Sequence, residues 1–221
     1  MQRFFDVIFA LSGVLLLAPL LLCVCLILRL TGEGEIFYAQ KRVGRGGQIF
    51  NILKFATMLK DSPNIGTGTV TIMNDPRVLP FGRFLRRSKI NELPQLLNVI
   101  WGDMSLIGPR PQTERCFLAF PESLRDDIVS VRPGLSGLGS IVFRHEEKML
   151  QDDRNADDFY DLVIMPYKGE LEAWYARHNT IWLYFYLMTL TLLAVILGKT
   201  LINKRLWTSI PKVPDELSNY L

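Results

Sequence analysis

The feature that most constrains this chain is an apolar block near its start. Residues 7–28, VIFALSGVLLLAPLLLCVCLIL, contain no charged side chain. At the rise of an α-helix, this block has about the length of the hydrocarbon core of a bilayer. A second uncharged block, TIWLYFYLMTLTLLAVIL, occupies residues 180–197. The sequence therefore predicts a protein that is anchored in a membrane.

Pro19 bears on how the first block meets the membrane. It lies in the middle of the block, where a proline removes one backbone hydrogen bond and clashes with the preceding turn, so a sharp bend is expected. Basic residues flank both ends, with Arg3 before the block and Arg29 and Lys41 after it, so the positive-inside rule gives no direction. Two topologies stay open at this point: a re-entrant helix with both ends in the cytoplasm, and a kinked helix that spans.

Composition narrows the classes of function. The chain has 221 residues, 49% of them hydrophobic, which suits one domain with a sizeable core. Its net charge of +3 is modest, so charge does not indicate a nucleic-acid partner and none is expected. Two of the three cysteines, Cys23 and Cys25, lie inside the first apolar block. No disulfide or zinc framework is therefore predicted, and a cytosol-facing protein fits.

A small β-hairpin is predicted directly after the anchor. Residues 34–58 alternate apolar and polar side chains around a glycine-rich turn that contains Gly44, Gly46 and Gly47. Lys54 falls near the exit of the second strand. The following residues contain the loop SPNIGTG and a short run of Val and Ile, which predict a loop and a strand.

A basic segment follows the loop. Between residues 77 and 89 the chain carries five basic residues and no acid, namely Arg77, Arg83, Arg86, Arg87 and Lys89. Arg83 shares a helix face with Arg86 and Arg87. This face suits phosphate groups, and it equally suits anionic lipid at a membrane surface.

The run KINELPQLLNVIWGDMSLIGPRP, residues 89–111, concentrates groups that suit phosphoryl chemistry. Apolar residues at helical spacing predict a helix with Asn91 as its N-cap. Glu92 then lies at the helix start, where it stays ionised and available to a divalent cation. A Gly-Asp turn presents a second carboxylate, Asp103, and two prolines stiffen the backbone around Arg110, which can bind a phosphate through two hydrogen bonds. Together these features favour metal-assisted phosphoryl transfer.

These motifs resemble one family. ELPQLLNVIWGDMSLIGPRP, with RVGRGGQIFNILKF and NDPRVLPFGRFLRRSKI upstream and VRPGLSGLGS downstream, is similar to the bacterial sugar transferases, which are monotopic phosphoglycosyl transferases. The resemblance implies transfer of a sugar phosphate from a UDP-sugar to polyprenol (undecaprenyl) phosphate, with Mg²⁺ and release of UMP. It implies a re-entrant helix broken at Ala18-Pro19 and a glutamate near the metal, which carries over to Glu92. We expect Glu92, Asn91 and Asp103 to be the catalytic residues, with Glu92 and Asp103 as metal ligands. The expected substrate-binding residues are Lys54, Arg77, Arg83, Arg86, Arg87, Arg110 and Arg132.

The chain departs from the family pattern at two places. The family has an Asp-Glu pair, with the aspartate as nucleophile, where this chain has Asn91-Glu92, and Ala56 replaces an arginine after Lys54-Phe55. A branch of the family with Asn-Glu-Leu-Pro is similar to this chain. Because an amide is a feeble nucleophile, either Glu92 or Asp103 attacks, or polyprenol phosphate attacks directly. The alternatives to an enzyme are a non-catalytic paralogue that binds nucleotide sugar or partners an active transferase, and a plain membrane scaffold.

The remaining sequence adds less. Residues 143–163 are rich in charge and predict a solvated helix pair, although His145, Glu146 and Glu147 can in principle bind a metal. The second apolar block is slightly short for a span and is followed by Lys199 and Lys204, which favours a helix embedded in the membrane without crossing it.

The sequence thus predicts an α+β, mostly helical membrane-associated domain with a re-entrant N-terminal helix and a small β-hairpin. The expected parts are a membrane helix over residues 1–30, a cytosolic catalytic domain over 31–179, an embedded hydrophobic helix over 180–202 and a tail over 203–221. The expected location is the cytoplasmic face of the bacterial inner membrane. The expected partners are a UDP-sugar donor, polyprenol phosphate and membrane lipid, and a homodimer is compatible with these residues.

Overall fold

The computed structural model describes residues 1–64, 75–144, 146–149, 156–197, 202–218 and 220. Within these ranges the chain is mostly helical with two small sheets, which confirms the α+β class. The strands are β1 (Phe37–Val43), β2 (Ile49–Phe55), β3 (Ser105–Ile107) and β4 (Gly134–Ser136). The helices are α1 (Gln2–Leu30), α2 (Pro80–Arg87), α3 (Gln95–Trp101), α4 (Glu114–Leu118), α5 (Glu122–Ser130), α6 (Leu138–Val142), α7 (Glu146–Met149), α8 (Ala156–Phe159), α9 (Met165–Arg177), α10 (Ile181–Leu197) and α11 (Lys204–Trp207).

The predicted hairpin is present. Strands β1 and β2 pair antiparallel, with Phe37 opposite Phe55 and Val43 opposite Ile49. The turn between them contains Gly46 and Gly47 at φ values of 65° and 75°, which is left-handed backbone that side chains other than glycine rarely adopt. The glycine-rich turn therefore sets the position of the hairpin. Most of the loop and strand predicted before residue 75 lies outside the described residues, apart from a 3₁₀ turn at Ser62–Asn64.

Helix α1 is the one described helix that is long and apolar enough to cross a membrane. It continues through Pro19, so the proline does not divide it into two helices. Near its start, the Arg3 guanidinium donates hydrogen bonds to the carbonyls of Val99 and Ile100 at the end of α3. The buried Asp6 carboxylate accepts hydrogen bonds from Ser105 and from Leu106 N, each at 2.9 Å. The start of α1 is thus fixed to the domain by charged and polar contacts.

Both ends of α1 pack on the same domain. Ala10 joins a buried cluster with Val99 and Met104, and Leu28 joins another with Phe55 and Leu85. The two clusters are separated along the helix by residues 15–20, which belong to neither cluster. At 1.5 Å per residue, the two anchored positions lie about 27 Å apart along the helix.

The helix of the central motif begins later than predicted. Ile90–Glu92 forms a 3₁₀ turn, and α3 starts only at Gln95, with Pro94 before it and no side-chain cap. The prediction of Asn91 as N-cap is wrong because Lys89, at φ 60°, turns the chain into the 3₁₀ turn and places Asn91 inside it. The Asn91 side chain is buried, and its Oδ1 has no hydrogen-bond partner in the described part of the chain.

The largest core surrounds the parallel pair of β3 and β4 and is closed by the C-terminal helices. It contains Ile107 of β3, Leu138 of α6, Leu171 of α9 and Leu187 of α10. Glycines allow the backbones to approach closely here, since a Cβ on Gly134 would lie 2.1 Å from the Gly108 nitrogen. The C-terminal segment therefore belongs to the same packed unit as the central motif.

The acidic segment is only partly as predicted. Helices α7 and α8 exist, followed by a π-helical turn at Tyr160–Ile164, but Phe143 and Met149 are buried in the largest core. The segment is therefore not simply a solvated helix pair. His145 lies outside the described residues.

Candidate active site

The centre of the candidate site is an ion pair between Glu92 and Arg110. Arg110 Nη2 lies 2.7 Å from Glu92 Oε1, and Nη1 lies 3.4 Å from Oε2. Burial disfavours the charged form of Glu92, but the positive charges of Arg110 and Lys54 outweigh it and lower its pKa to about 2. The same pairing raises the pKa of Arg110. Both side chains are therefore charged near neutral pH.

The backbone of Arg110 is held from two sides. Strand β3 leads into Pro109, whose carbonyl accepts a hydrogen bond of 2.8 Å from Gly134 N. The Arg110 N–H donates to Glu172 Oε1 of α9 at 3.2 Å. Because the following residue is also a proline, Pro111, the peptide has little freedom. This arrangement explains why the guanidinium reaches Glu92 in a defined orientation.

Glu172 is a fully buried carboxyl behind the ion pair. Its burial raises the pKa to about 7, although Lys168 and Arg110 oppose the shift. Its Oε1 lies so close to Gly139 that a Cβ there would be 2.5 Å away. Its Oε2 has no hydrogen-bond partner among the described residues. Sequence reasoning missed this residue.

The hairpin contributes two basic side chains. Burial lowers the pKa of Lys54 on β2 to about 7, with the charge of Glu92 acting in the opposite direction. Burial also lowers the pKa of Arg42 on β1, as does the nearby charge of Arg110. Arg42 donates to the carbonyl of Pro111 at 3.2 Å. The predicted residue Lys54 and the unpredicted Arg42 therefore both lie close to the central ion pair.

A cavity of about 400 Å³ opens beside the ion pair, within the usual range of ligand pockets. One of its walls carries the ion pair of Lys168 with Glu146, 2.8 Å between Nζ and Oε2. The described residues that line it are Ser88, Lys89, Ile90, Glu92, Leu93, Arg110, Leu135, Ser136, Ser140, Phe143, Arg144, Glu146, Lys168, Thr191 and Val195. Of the residues predicted for the site, Glu92 and Arg110 line this cavity.

The other predicted substrate-binding arginines are not part of the described lining of this cavity. Arg77 is buried in an ion pair with Asp75, 2.6 Å between Nη2 and Oδ2. Arg83 and Arg87 are exposed on α2. Arg86 is half-buried, with Nη1 3.5 Å from the sulfur of Met58. The substrate contacts of these four arginines stay predictions, as does that of Arg132, which donates to the carbonyl of Gly102 at 2.9 Å.

The structure does not bring the two predicted metal ligands together. Glu92 precedes α3, and Asp103 follows it, exposed to solvent and 3.4 Å from Asn98 Nδ2. A seven-residue helix is about 10 Å long, whereas one Mg²⁺ binds its ligands at about 2.1 Å. The described residues contain no cluster of three or more His, Cys, Asp or Glu side chains that could hold a metal. Glu92 on the cavity wall is still compatible with Mg²⁺, which commonly uses one carboxylate together with substrate phosphates and water.

Several residues of the site were not predicted because they come from distant parts of the chain. Lys168 and Glu172 are four positions apart in α9 and face the site together, while Glu146 comes from α7. The i, i+4 spacing of Lys168 and Glu172 was only a weak indication in the sequence that these two side chains lie on one helix face. Nothing local in the sequence connected these residues to Arg110, which lies 62 positions before Glu172.

Comparisons with known proteins identify the family of this chain. The family model described as "Bacterial sugar transferase" matches residues 1–198. The chain therefore belongs to the bacterial sugar transferase family. The match covers the central motif, the site and both apolar helices.

Named relatives fall within the same family. The chain is 36% identical over 185 residues to the exopolysaccharide production protein ExoY of Rhizobium meliloti, with 74% of this chain and 81% of ExoY covered. It is 31% identical over 199 residues to an Aeromonas hydrophila UDP-N-acetylgalactosamine-undecaprenyl-phosphate N-acetylgalactosaminephosphotransferase, covering 89% of this chain and 44% of the relative. It is 36% identical over 147 residues to the Escherichia coli UDP-glucose:undecaprenyl-phosphate glucose-1-phosphate transferase, covering 64% and 31%.

Proposed function

We propose that this protein is an enzyme that transfers a sugar phosphate from a UDP-sugar to undecaprenyl phosphate and releases UMP, which starts the assembly of a lipid-linked glycan. The names of the relatives support this donor and acceptor. The observation that carries the proposal is the charged Glu92–Arg110 pair on the wall of a cavity of suitable size.

Arg110 has the geometry to bind the donor diphosphate. Its two terminal nitrogens are aligned in parallel on the Glu92 carboxylate, and two phosphate oxygens match the same fork. A diphosphate that takes this position releases Glu92 from the pair. Donor binding and exposure of the carboxylate are thereby coupled.

Glu92 remains the best candidate for an essential acid. With a pKa of about 2 it is ionised at neutral pH, so it acts as a nucleophile or a ligand and not as a proton donor. Asp103 lies at the other end of α3, so Glu92 is the one of the two predicted acids that lines the cavity. Bound Mg²⁺ held by Glu92 and the donor phosphates would neutralise negative charge at the diphosphate.

Two routes lead to the same products. In the direct route, a phosphate oxygen of the acceptor forms a bond to the sugar-bearing phosphorus while the diphosphate bridge breaks and UMP leaves with the bridging oxygen. In the covalent route, a Glu92 carboxylate oxygen first bonds to that phosphorus as the diphosphate bridge breaks and UMP leaves, and an acceptor phosphate oxygen then bonds to the phosphorus and releases the carboxylate. In both, Arg110 and Lys54 offset the negative charge that develops.

The cytoplasmic face of the inner membrane is the proposed location, with α1 as a re-entrant helix. Its two ends contact one domain through Asp6 and Leu28, which supports their lying on the same side of the membrane. The stretch 15–20 between them includes Pro19 and packs in no buried cluster, which suits the part that enters the lipid.

UMP release tests the activity. Purified protein with Mg²⁺, undecaprenyl phosphate and a panel of UDP-sugars should release UMP, and Glu92→Gln should abolish turnover. Glu122→Gln, at an exposed glutamate in the first turn of α5, is the matched control and should keep full activity. Tight UDP-sugar binding without UMP release from the wild-type protein would instead identify a non-catalytic paralogue.

Mass spectrometry separates the two routes. The wild-type protein mixed with UDP-sugar and Mg²⁺ alone should gain the mass of a phospho-sugar in the covalent route and no mass in the direct route. Glu92→Gln should gain none in either case, so an adduct on this variant would show that another residue attacks.

A further inference from the structure

The apolar helix α10 forms one side of the cavity. Thr191 and Val195, four positions apart on one helix face, line it. The Thr191 hydroxyl lies 2.9 Å from the Ser136 hydroxyl at the end of β4, and Leu187 and Leu190 are buried in the core. These contacts hold α10 along the domain beside the cavity.

The other side of α10 is exposed and apolar. Trp182 is 82% exposed and Ile196 is 76% exposed. Phe185 of α10 stacks edge-on against Phe5 of α1, with ring centroids 4.9 Å apart, and lies 6.5 Å from Phe9. Helices α1 and α10 therefore form one continuous apolar surface. Since α1 is the membrane anchor, this surface faces lipid.

Val195 lies where the cavity meets this surface. It lines the cavity and is still 57% exposed. Leu93, Leu135 and Phe143 are further apolar residues of the lining. The apolar part of the lining thus reaches the lipid-facing surface at Val195.

The polar part of the described cavity lining carries a net positive charge. Among the described residues its wall contains two carboxylates, and each already pairs with a cation, Glu92 with Arg110 and Glu146 with Lys168. Two further cations, Lys89 and Arg144, also line the wall. The wall therefore has an excess of positive side chains, which favours a phosphate group.

We propose that α10 forms the binding site for the isoprenoid chain of the acceptor. The chain enters from the lipid past Val195, lies against Leu135 and Phe143, and brings its phosphate to Lys89 and Arg144 beside the Glu92–Arg110 pair. The inference rests on the proposed function, because that function supplies an acceptor with one apolar chain and one phosphate. The phosphate of the acceptor matches the positively charged part of the cavity lining, and its isoprenoid chain matches the apolar part.

Two tryptophan substitutions test the entrance. Val195→Trp fills the cavity mouth, whereas Ile196→Trp places the same side chain on the next position of α10, away from the cavity lining. Val195→Trp should raise the KM for undecaprenyl phosphate about tenfold or more, equivalent to about 1.4 kcal/mol, with the KM for UDP-sugar unchanged. Ile196→Trp should leave both constants unchanged. Equal effects of the two variants, or a rise in the KM for UDP-sugar alone, would overturn the proposal.

Photolabelling tests the same site without turnover. A polyprenyl phosphate with a photoreactive group in its chain should label α10 in the wild-type protein and in Glu92→Gln. Undecaprenyl phosphate should compete with the label, and the same concentration of phosphatidic acid should not. Equal competition would overturn the assignment to the isoprenoid chain, because the cavity would then take any lipid phosphate, and labelling confined to other segments would reject the site. If the wild-type protein releases no UMP, the proposed function fails, while the labelling still decides whether α10 binds the lipid.

Discussion

Replacing Glu172 by glutamine should remove a pH dependence from the stability of this protein. Burial raises the pKa of this carboxyl to about 7 from its ordinary 4.5. One pKa unit corresponds to about 1.4 kcal/mol, so ionising Glu172 costs about 3 kcal/mol more in the folded protein than in the unfolded chain. Glutamine has nearly the same shape, and its oxygen can still accept the hydrogen bond from Arg110 N. It does not ionise.

The direction follows from proton binding. Below pH 4.5 the Glu172 carboxyl is protonated in both the folded and the unfolded state, so its pKa shift does not affect stability. Between pH 4.5 and 7 the unfolded chain loses the proton while the folded protein retains it, so the stability of the wild-type protein falls as pH rises. Above pH 7 the whole cost of about 3 kcal/mol is present. The Glu172→Gln variant should not lose this stability as the pH rises.

Thermal unfolding in mild detergent between pH 4.5 and 8 measures the effect. The Tm of the wild type should fall relative to Glu172→Gln by about 6–12 °C across this range, given about 2–4 °C per kcal/mol for a chain of this size. Glu170→Gln, at an exposed position of the same helix, should follow the wild type. A constant difference between the wild type and Glu172→Gln at every pH would refute the argument that the folded protein raises the pKa of Glu172.

Two further predictions concern the site and the anchor. Arg110→Lys should lower kcat/KM about tenfold or more with unchanged Tm, because an ammonium does not supply the paired donors of a guanidinium. Arg205→Lys, at an exposed position, is the control and should leave kcat/KM unchanged. Wild-type kinetics of Arg110→Lys would remove this residue from the site. In a background free of the native cysteines, cysteines placed at Gln2 and at the exposed Ser123 should react with an impermeant reagent from the same side of the membrane. Labelling of Gln2→Cys alone from the periplasm would contradict the re-entrant assignment of α1.

Local features were predictable from the sequence because neighbouring residues determine them. The glycine-rich hairpin turn is one example, since its left-handed backbone needs residues such as Gly46 and Gly47. The prediction that Glu92 stays ionised also holds, but for another reason. Its pKa is lowered by Arg110 and Lys54, and the expected helix start lies three residues further on.

Contacts between distant segments were not predictable from local patterns. Glu172 supports Arg110 from a helix that the sequence connects to no site motif, and α10 completes the cavity through Thr191 and Val195. The start of α3 was also misplaced, because the left-handed backbone of Lys89 moves Asn91 into a 3₁₀ turn. A single sequence carries no direct record of such tertiary arrangements.

The buried Asp6 carboxylate has a consequence for biosynthesis. Besides the groups of β3, it accepts a hydrogen bond of 2.9 Å from the Tyr184 hydroxyl of α10, 178 residues later in the chain. At a synthesis rate of about 5–20 residues per second, the partner emerges on the order of ten seconds or more after Asp6. During this interval the Asp6 carboxylate lacks one of its final donors. The start of α1 therefore reaches its native environment only after the ribosome has produced the chain through Tyr184.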